Sequence, residues 1–281
     1  MKAVFTFIFT LCISTISPVF AQYYYKDLLS NKQTIEERMR LKNQKVKLVK
    51  VHSLEPDGTE SSNFFCEKRI NKDYSKIETF TKSNISTPSL LTTFFNEKGL
   101  LVKTIDSAKI ATSTTLYTYD NNDNLISILL RSRSYDDDFA TTQEEERRYY
   151  YNEKAQPIKL VRFKNKKDSI EIKFNLDENG NVIDEIEVND PSNHYYFYYD
   201  TENQLTDIVR YRTSKRKLVP DFMFEYNEGK QVSQMITTEE GPNTSDYFVW
   251  KYFYNDAGLR IIEKCYSKER DLMGSFEYEY E

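Results

Sequence analysis

The stretch Asn193-His194-Tyr195-Tyr196-Phe197-Tyr198-Tyr199-Asp200-Thr201-Glu202-Asn203-Gln204-Leu205-Thr206-Asp207-Ile208-Val209-Arg210-Tyr211-Arg212 decides how the chain is read. An aromatic run ends at Tyr199, a polar turn follows, and an apolar alternation restarts at Leu205 and Ile208. Side chains alternate across a strand, so Phe197 and Tyr199 share one face and Tyr196 and Tyr198 the other. Asp200 opens the turn by bonding its side chain to backbone two residues on. Asn203 tolerates the left-handed conformation that closes a short hairpin loop.

The same unit recurs along the chain. Clear copies are Tyr117-Thr118-Tyr119-Asp120, Phe197-Tyr198-Tyr199-Asp200 and Phe224-Glu225-Tyr226-Asn227. Looser ones end at Phe95, Tyr151, Leu176 and Tyr254, and Ile70-Asn71 is a degenerate early copy. Phe276-Glu277-Tyr278-Glu279-Tyr280 is a final incoming strand without a turn. With the residue before the Asp or Asn as position zero, the copies fall at 95, 119, 151, 176, 199, 226 and 254. A repeat of this period makes each copy a β-hairpin and the whole an array. The predicted fold is all-β: an antiparallel meander of tandem hairpins in one long twisted or curled sheet. A short N-terminal helix precedes it, after a signal peptide.

In this reading Tyr117, Tyr119, Tyr149, Tyr151, Phe174, Phe197, Tyr199, Phe224, Tyr226, Tyr252, Tyr254, Tyr278 and Tyr280 form a structural ladder on one face. Cross-strand aromatic pairs add roughly 0.2–1 kcal/mol each. The tyrosine hydroxyl is expected to reach the wet sheet margin. The turns use Gly99, Asp120, Gly180, Asp200 and Gly258. Tyr150, Tyr196, Tyr198 and Phe253 point the other way, as an exposed binding strip or a second packing layer.

The repeat resembles the YD or Rhs-type unit Tyr-x-Tyr-Asp-x-x-Gly-x-Leu, best at Tyr117-x-Tyr119-Asp120 and Phe197-x-Tyr199-Asp200. The repeat glycine stands at Gly99, Gly180 and Gly258, and is replaced by Asp123, Ala155, Asn203 and Lys230 elsewhere. The resemblance covers about Phe94 to Glu281. It implies a β-repeat and is almost silent about function. Family shells that enclose a toxin come from much longer chains, and the copies here are too few to close such a shell. A weaker similarity exists to short Tyr-x-x-x-Gly-x-Leu repeats of bacterial immunity-like and envelope proteins.

The 281 residues are 39% hydrophobic, 30% charged and 15% aromatic, which excludes a disordered chain. Lys2, the apolar run Ala3 to Ile16 and Val19-Phe20-Ala21 predict a signal peptide cleaved after Ala21. The expected location is secreted, periplasmic or cell envelope. Three segments follow: leader 1–21, helical segment 22–45 and repeat domain 46–281. Thr34 and Glu37 have capping-box spacing, predicting a helix from about Thr34 to Asn43, or one from about Lys26 broken near Ser30-Asn31. No later segment is apolar enough to span a membrane as a helix. Without the leader, 38 basic face 44 acidic residues, net −6, which argues against a nucleic-acid partner. Cys66 and Cys265 remain, as two buried thiols or as a bridge that only geometry decides.

Catalytic, cofactor and metal residues are assigned to none. His52 and His194 sit in no catalytic motif, and no zinc or phosphate-loop pattern occurs. Asp120-x-Asn122-x-Asn124 and Asp177-x-Asn179-x-Asn181 imitate the start of a calcium loop but lack its Gly and terminal Glu, so turn chemistry explains them. Asp136-Asp137-Asp138 and Glu144-Glu145-Glu146-Arg147-Arg148 read as a solvated loop tip. The functional expectation is a non-enzymatic exported scaffold or binding module, with a glycan or envelope protein as partner. The alternatives are a carbohydrate-active enzyme with a carboxylate pair on the sheet face, or an immunity or adaptor relative of Rhs toxin shells.

Overall fold

The computed structural model describes residues 23–84, 86–135, 141–212, 216–240 and 245–281. The leader and its cleavage after Ala21, and the acidic run Asp136-Asp137-Asp138, lie outside the described residues. One helix, α1 (Tyr25–Asn43), precedes eighteen described strands. They are β1 (Leu48–Leu54), β2 (Phe65–Ile70), β3 (Lys76–Lys82), β4 (Ser89–Phe95), β5 (Leu101–Ala108) and β6 (Ala111–Tyr119). Next come β7 (Leu125–Ser134), β8 (Thr142–Tyr151), β9 (Pro157–Lys164), β10 (Asp168–Leu176), β11 (Val182–Glu187) and β12 (Asp190–Tyr199). The last are β13 (Leu205–Arg212), β14 (Lys217–Tyr226), β15 (Val232–Glu240), β16 (Ser245–Tyr254), β17 (Arg260–Tyr266) and β18 (Leu272–Tyr280).

Each strand pairs antiparallel with the next, and β1 also pairs with β18, Val49 opposite Tyr280 and Val51 opposite Tyr278. The sheet is therefore a closed barrel. This corrects the expected open or curled meander. The physical reason is coverage. A single open sheet exposes its aromatic face, and one helix of 19 residues cannot cover eighteen strands. Rolling the sheet turns that face inward and pairs both end strands, which removes an unpaired edge. Backbone bonds from Lys47 and Leu48 to the Glu281 carbonyl, and from Glu281 back to Leu48, complete the seam.

The repeat turns lie at one end of the barrel. In each of the seven copies the fourth turn residue has positive φ: Gly99, Asp123, Ala155, Gly180, Asn203, Lys230 and Gly258. Ala155 and Lys230 adopt it without the usual preference because the first turn residue holds the loop. Asn152 Oδ1 accepts from the amides of Lys154 and Gln156, as Asp200 Oδ1 does from Glu202 and Gln204. The Asp120 carboxylate is likewise held by the amides of Asn122 and Asn124. At Gly99 a Cβ would lie 2.5 Å from the Arg38 guanidinium, which would have to shift to admit a side chain. A β-bulge precedes every turn, as between Tyr198 and Tyr199.

The ladder residues face the lumen. At position zero the tyrosine hydroxyl does not sit at a wet margin. It donates to a backbone carbonyl of the preceding copy: Tyr119 to Leu101 at 2.8 Å, Tyr151 to Leu125 at 2.7 Å, Tyr199 to Val182 at 3.0 Å. Tyr226, Tyr254 and Tyr280 repeat the bond to Leu205, Val232 and Arg260. Burial pushes the Tyr226 and Tyr280 hydroxyls to about 12, so they remain donors.

Cys66 and Cys265 are free, buried thiols. They stand on β2 and β17 with β1 and β18 between them, about 14 Å apart along the wall, twice the roughly 7 Å a bridge permits.

Removing one copy-to-copy bond by Tyr226→Phe is expected to cost about 1 kcal/mol. Leu160→Ala, at a fully buried position, is expected to cost about 2–5 kcal/mol. Urea denaturation measures both, with outward Tyr198→Phe as the reference that changes neither midpoint nor slope.

Candidate binding site in the barrel lumen

The helix lies inside the barrel. At about 28 Å it nearly spans a lumen whose backbone walls stand about 35 Å apart. Its partners are lumen-facing residues from opposite walls. Near its start, the amides of Tyr24 and Tyr25 donate to the two carboxylate oxygens of Glu185, each at 2.7 Å. At its middle, Asn31 donates to the Tyr119 hydroxyl at 2.7 Å. Toward its end, Arg38 donates to the Tyr74 carbonyl at 2.7 Å and Glu37 accepts from Lys68 at 2.6 Å. The expected Thr34 cap is absent: α1 runs unbroken through Ser30-Asn31, and the Thr34 hydroxyl instead donates back to the Ser30 carbonyl. Glu185 on β11 satisfies the orphan amides at the helix start from 160 residues away.

Around that start lies a buried polar network. Asp27 takes two bonds from Arg147 Nη1, at 2.8 and 2.9 Å, and one from the Tyr149 hydroxyl at 2.6 Å. Arg147 also pairs with Glu145 at 2.6 Å. Burial, and then the Asp27 charge, holds the Tyr149 hydroxyl well above the ordinary phenol range, so it donates as a neutral group. Burial pushes the Glu185 carboxyl up to about 8, against the opposing pull of the two amides. A carboxyl of that pKa resembles a general acid. Here both oxygens are occupied by the helix backbone and the side chain is 3% exposed, so its chemistry is to hold α1.

The helix divides the lumen. Its buried face, Asn31, Arg38 and Leu41, turns toward the packed cluster of Leu101, Val49 and Ile70. The opposite face stays wet, with Met39 48% exposed despite its place inside the wall. Wall residues beyond it, Thr115, Leu130 and Ser132, are only half-buried. Among the described residues the barrel is a cup, with an aromatic, helix-braced floor and an upper half whose wall side chains are only half-buried.

Tyr150, Tyr198 and Phe253 lie exposed on the outer wall. Tyr196 is there too, its ring stacked 4.1 Å from that of His194. His194 and His52 are outward and far apart; His194 pairs with Asp184, and His52 with Glu60 and Glu279. Glu144 to Arg148 are not a loop tip. They belong to β8, where alternation sends Glu145 and Arg147 inward and Glu146 and Arg148 outward. Asp27, Glu145, Arg147 and Glu185 are the residues that sequence reasoning missed; for two of them the available signal was the two-residue spacing of Glu145, Arg147 and the ladder residue Tyr149, which puts all three on one strand face. Among the described residues no group of His, Cys, Asp or Glu could hold a metal ion.

The fold and site define a class: a closed antiparallel barrel that carries its own helix in the lumen. No protein-family model and no curated protein matches the chain. Among solved structures, TcdB2-TccC3-TEV is similar over 75% of this chain at 12% identity and a TM-score of 0.37. This chain spans 13% of that one. A porin-like protein from Bacteroides uniformis ATCC 8492 is similar over 84% of this chain and 98% of its own, at 9% identity and TM-score 0.40. One from Bacteroides vulgatus ATCC 8482 matches at 13% identity and TM-score 0.30, over 84% and 99%. Values this low leave the function to the geometry of the chain itself.

Arg147→Met strands Asp27 and Glu145 and is expected to cost about 3–5 kcal/mol, measured by denaturation. The folded protein holds the Glu185 proton more tightly than the unfolded chain, whose carboxyl titrates near 4.5. Its contribution to stability is full below about 4.5 and falls as pH rises toward about 8, by at most roughly 1.4 kcal/mol per pH unit. Stability measured at successive pH values should show this slope in the parent and lose it in Glu185→Gln. Identical slopes in the two proteins would refute the assignment.

Proposed function

We propose that this chain is an exported, non-enzymatic binding protein of the cell envelope, a barrel that stands in water and presents its lumen to a ligand. The observation that carries this is the polarity of the two faces. A barrel in lipid needs an apolar outer band about 25 Å tall. Here the register puts Lys50, Lys103, Arg131, Arg148, Lys159, Lys173, Lys251 and Lys264 on the outer wall. At the midplane each basic residue would cost roughly 2–4 kcal/mol, and opposite charges such as Glu67, Glu171 and Glu277 interleave with them.

The inner face is apolar in its lower half, where it is filled by the helix and the aromatic clusters. No described helix is long and apolar enough to cross a membrane. A non-catalytic role is supported by the outward histidines and by the engagement of Glu185 and Asp27 with helix and wall. A partner is expected to be a glycan or an envelope protein, since the solvated upper lumen and the outer aromatics offer polar groups and ring faces together.

The chain without residues 1–21 should stay in the supernatant on ultracentrifugation without detergent and should not float with phospholipid vesicles. Vesicle insertion, seen as protease protection of the outer wall, would overturn the reading.

A further inference from the structure

On the open side of the lumen, above the start of α1, polar side chains gather around Tyr195. Arg210 stands opposite Tyr195 in the register and its guanidinium lies 5.6 Å from the Tyr195 ring centre. Asn193 lies two residues before Tyr195, on the same face. Tyr23 packs on Tyr195 with ring centres 5.6 Å apart. Next to it, Arg162 donates to the Tyr24 hydroxyl at 2.8 Å.

Three buried polar atoms of this group have no hydrogen-bond partner among the described residues: Arg162 Nε, Arg210 Nε and Asn193 Oδ1. Folded proteins leave few such atoms, and each costs about 1–3 kcal/mol. Two flank Tyr195 and the third stands beside Tyr24 on the same lumen face, and together they call for a ligand group. Their residues are only half-buried, so a ligand in the upper lumen reaches them by side-chain rotation.

The mixture of orphans selects the chemistry. Two are donors and one is an acceptor. A carboxylate only accepts and an ammonium only donates, whereas a hydroxyl does both. The charges nearby are largely answered already: Arg210 pairs with Asp221 at 2.7 Å, and Arg147 with Asp27 and Glu145. Tyr23, half-buried and packed on the buried Tyr195, adds ring surface for the C–H face of a sugar.

We propose that the upper lumen binds a neutral oligosaccharide, with Arg162, Asn193 and Arg210 bonding its hydroxyls beside Tyr195. This rests on the binding-protein reading above and gives it a site and a ligand class. The chain lacking residues 1–21 would be screened against neutral oligosaccharides (β-glucan, xylan and mannan fragments), oligogalacturonate and short peptides, with titration calorimetry on any ligand retained. The expected result is a neutral saccharide bound, and binding weakened about tenfold or more by Arg162→Met and by Asn193→Ala. Should Arg162→Met fail to fold, as near-ultraviolet circular dichroism shows, Asn193→Ala and Arg162→Lys decide the matter.

Preference for oligogalacturonate or peptide would overturn the ligand class. A saccharide lost on outer-wall Tyr150→Ser or Tyr198→Ser, with the lumen variants unaffected, would overturn the site and leave the binding-protein reading standing. Retention of none of the neutral saccharides at millimolar concentration would overturn the inference itself, while vesicle insertion is what overturns the reading beneath it.

Discussion

The bond that organises this protein is a tyrosine hydroxyl donating to a backbone carbonyl one copy back. It recurs from Tyr119 to Leu101 through Tyr280 to Arg260. The carbonyl belongs to the start of an outgoing strand, just past a bulge, where the ladder of ordinary backbone bonds is interrupted. The hydroxyl fills that interruption, and the ring beneath it packs on the lumen side. One side chain thereby satisfies a buried backbone group, adds apolar burial and fixes the offset between successive hairpins. Phenylalanine supplies the burial alone. This is the reason position zero is tyrosine in five of the seven repeat copies and in the final strand.

A fixed offset repeated around a ring leads to closure. Each hairpin is displaced from its neighbour in the same sense, so the array curls with constant hand until its first and last strands meet. The barrel that results is too wide for wall side chains to fill. An eight-stranded barrel packs its own interior, but eighteen strands leave a channel. The helix resolves half of that problem. It places Tyr23 and Tyr25 against Phe197 on one wall and Leu41 in the cluster against the other, and so seals the end where the repeat turns lie.

The strand pattern, the turns and the inward and outward aromatic sets are written locally, because alternation and turn chemistry act over a few residues. Tyr117, Tyr199 and Gly180 can be placed from their neighbours alone. Closure cannot. The pairing of Val49 with Tyr280 joins residues at the two ends of the chain, and β1 carries none of the repeat's motif. The lumen network is hidden for the same reason. Asp27 reads as a helix surface residue and Glu185 as an exposed strand residue until the chain brings the helix inside, where Glu185 takes the amides that a local Thr34 cap was expected to serve.

The polar contacts that hold the helix carry an energetic argument of their own. An apolar helix in an apolar lumen would be held by burial alone, which is non-directional. In a channel wider than a helix, such a contact leaves the helix free to slide along its axis or turn about it. Asp27 with Arg147, Glu185 with two helix amides, and Glu37 with Lys68 are directional, and each fails if the helix shifts by one residue. For Asp27 and Arg147, removing two ions from water costs several kcal/mol each, and the more exposed Glu37–Lys68 pair gains little, so the pairs add little net stability. What they add is position. Fixing the helix N-terminus fixes Tyr23 and Tyr24, which pack on Tyr195 and bond Arg162 on the wall above. The floor of the cup and the polar group above it are therefore one construction, and a change at Asp27 or Glu185 reaches the upper lumen through the rings between them.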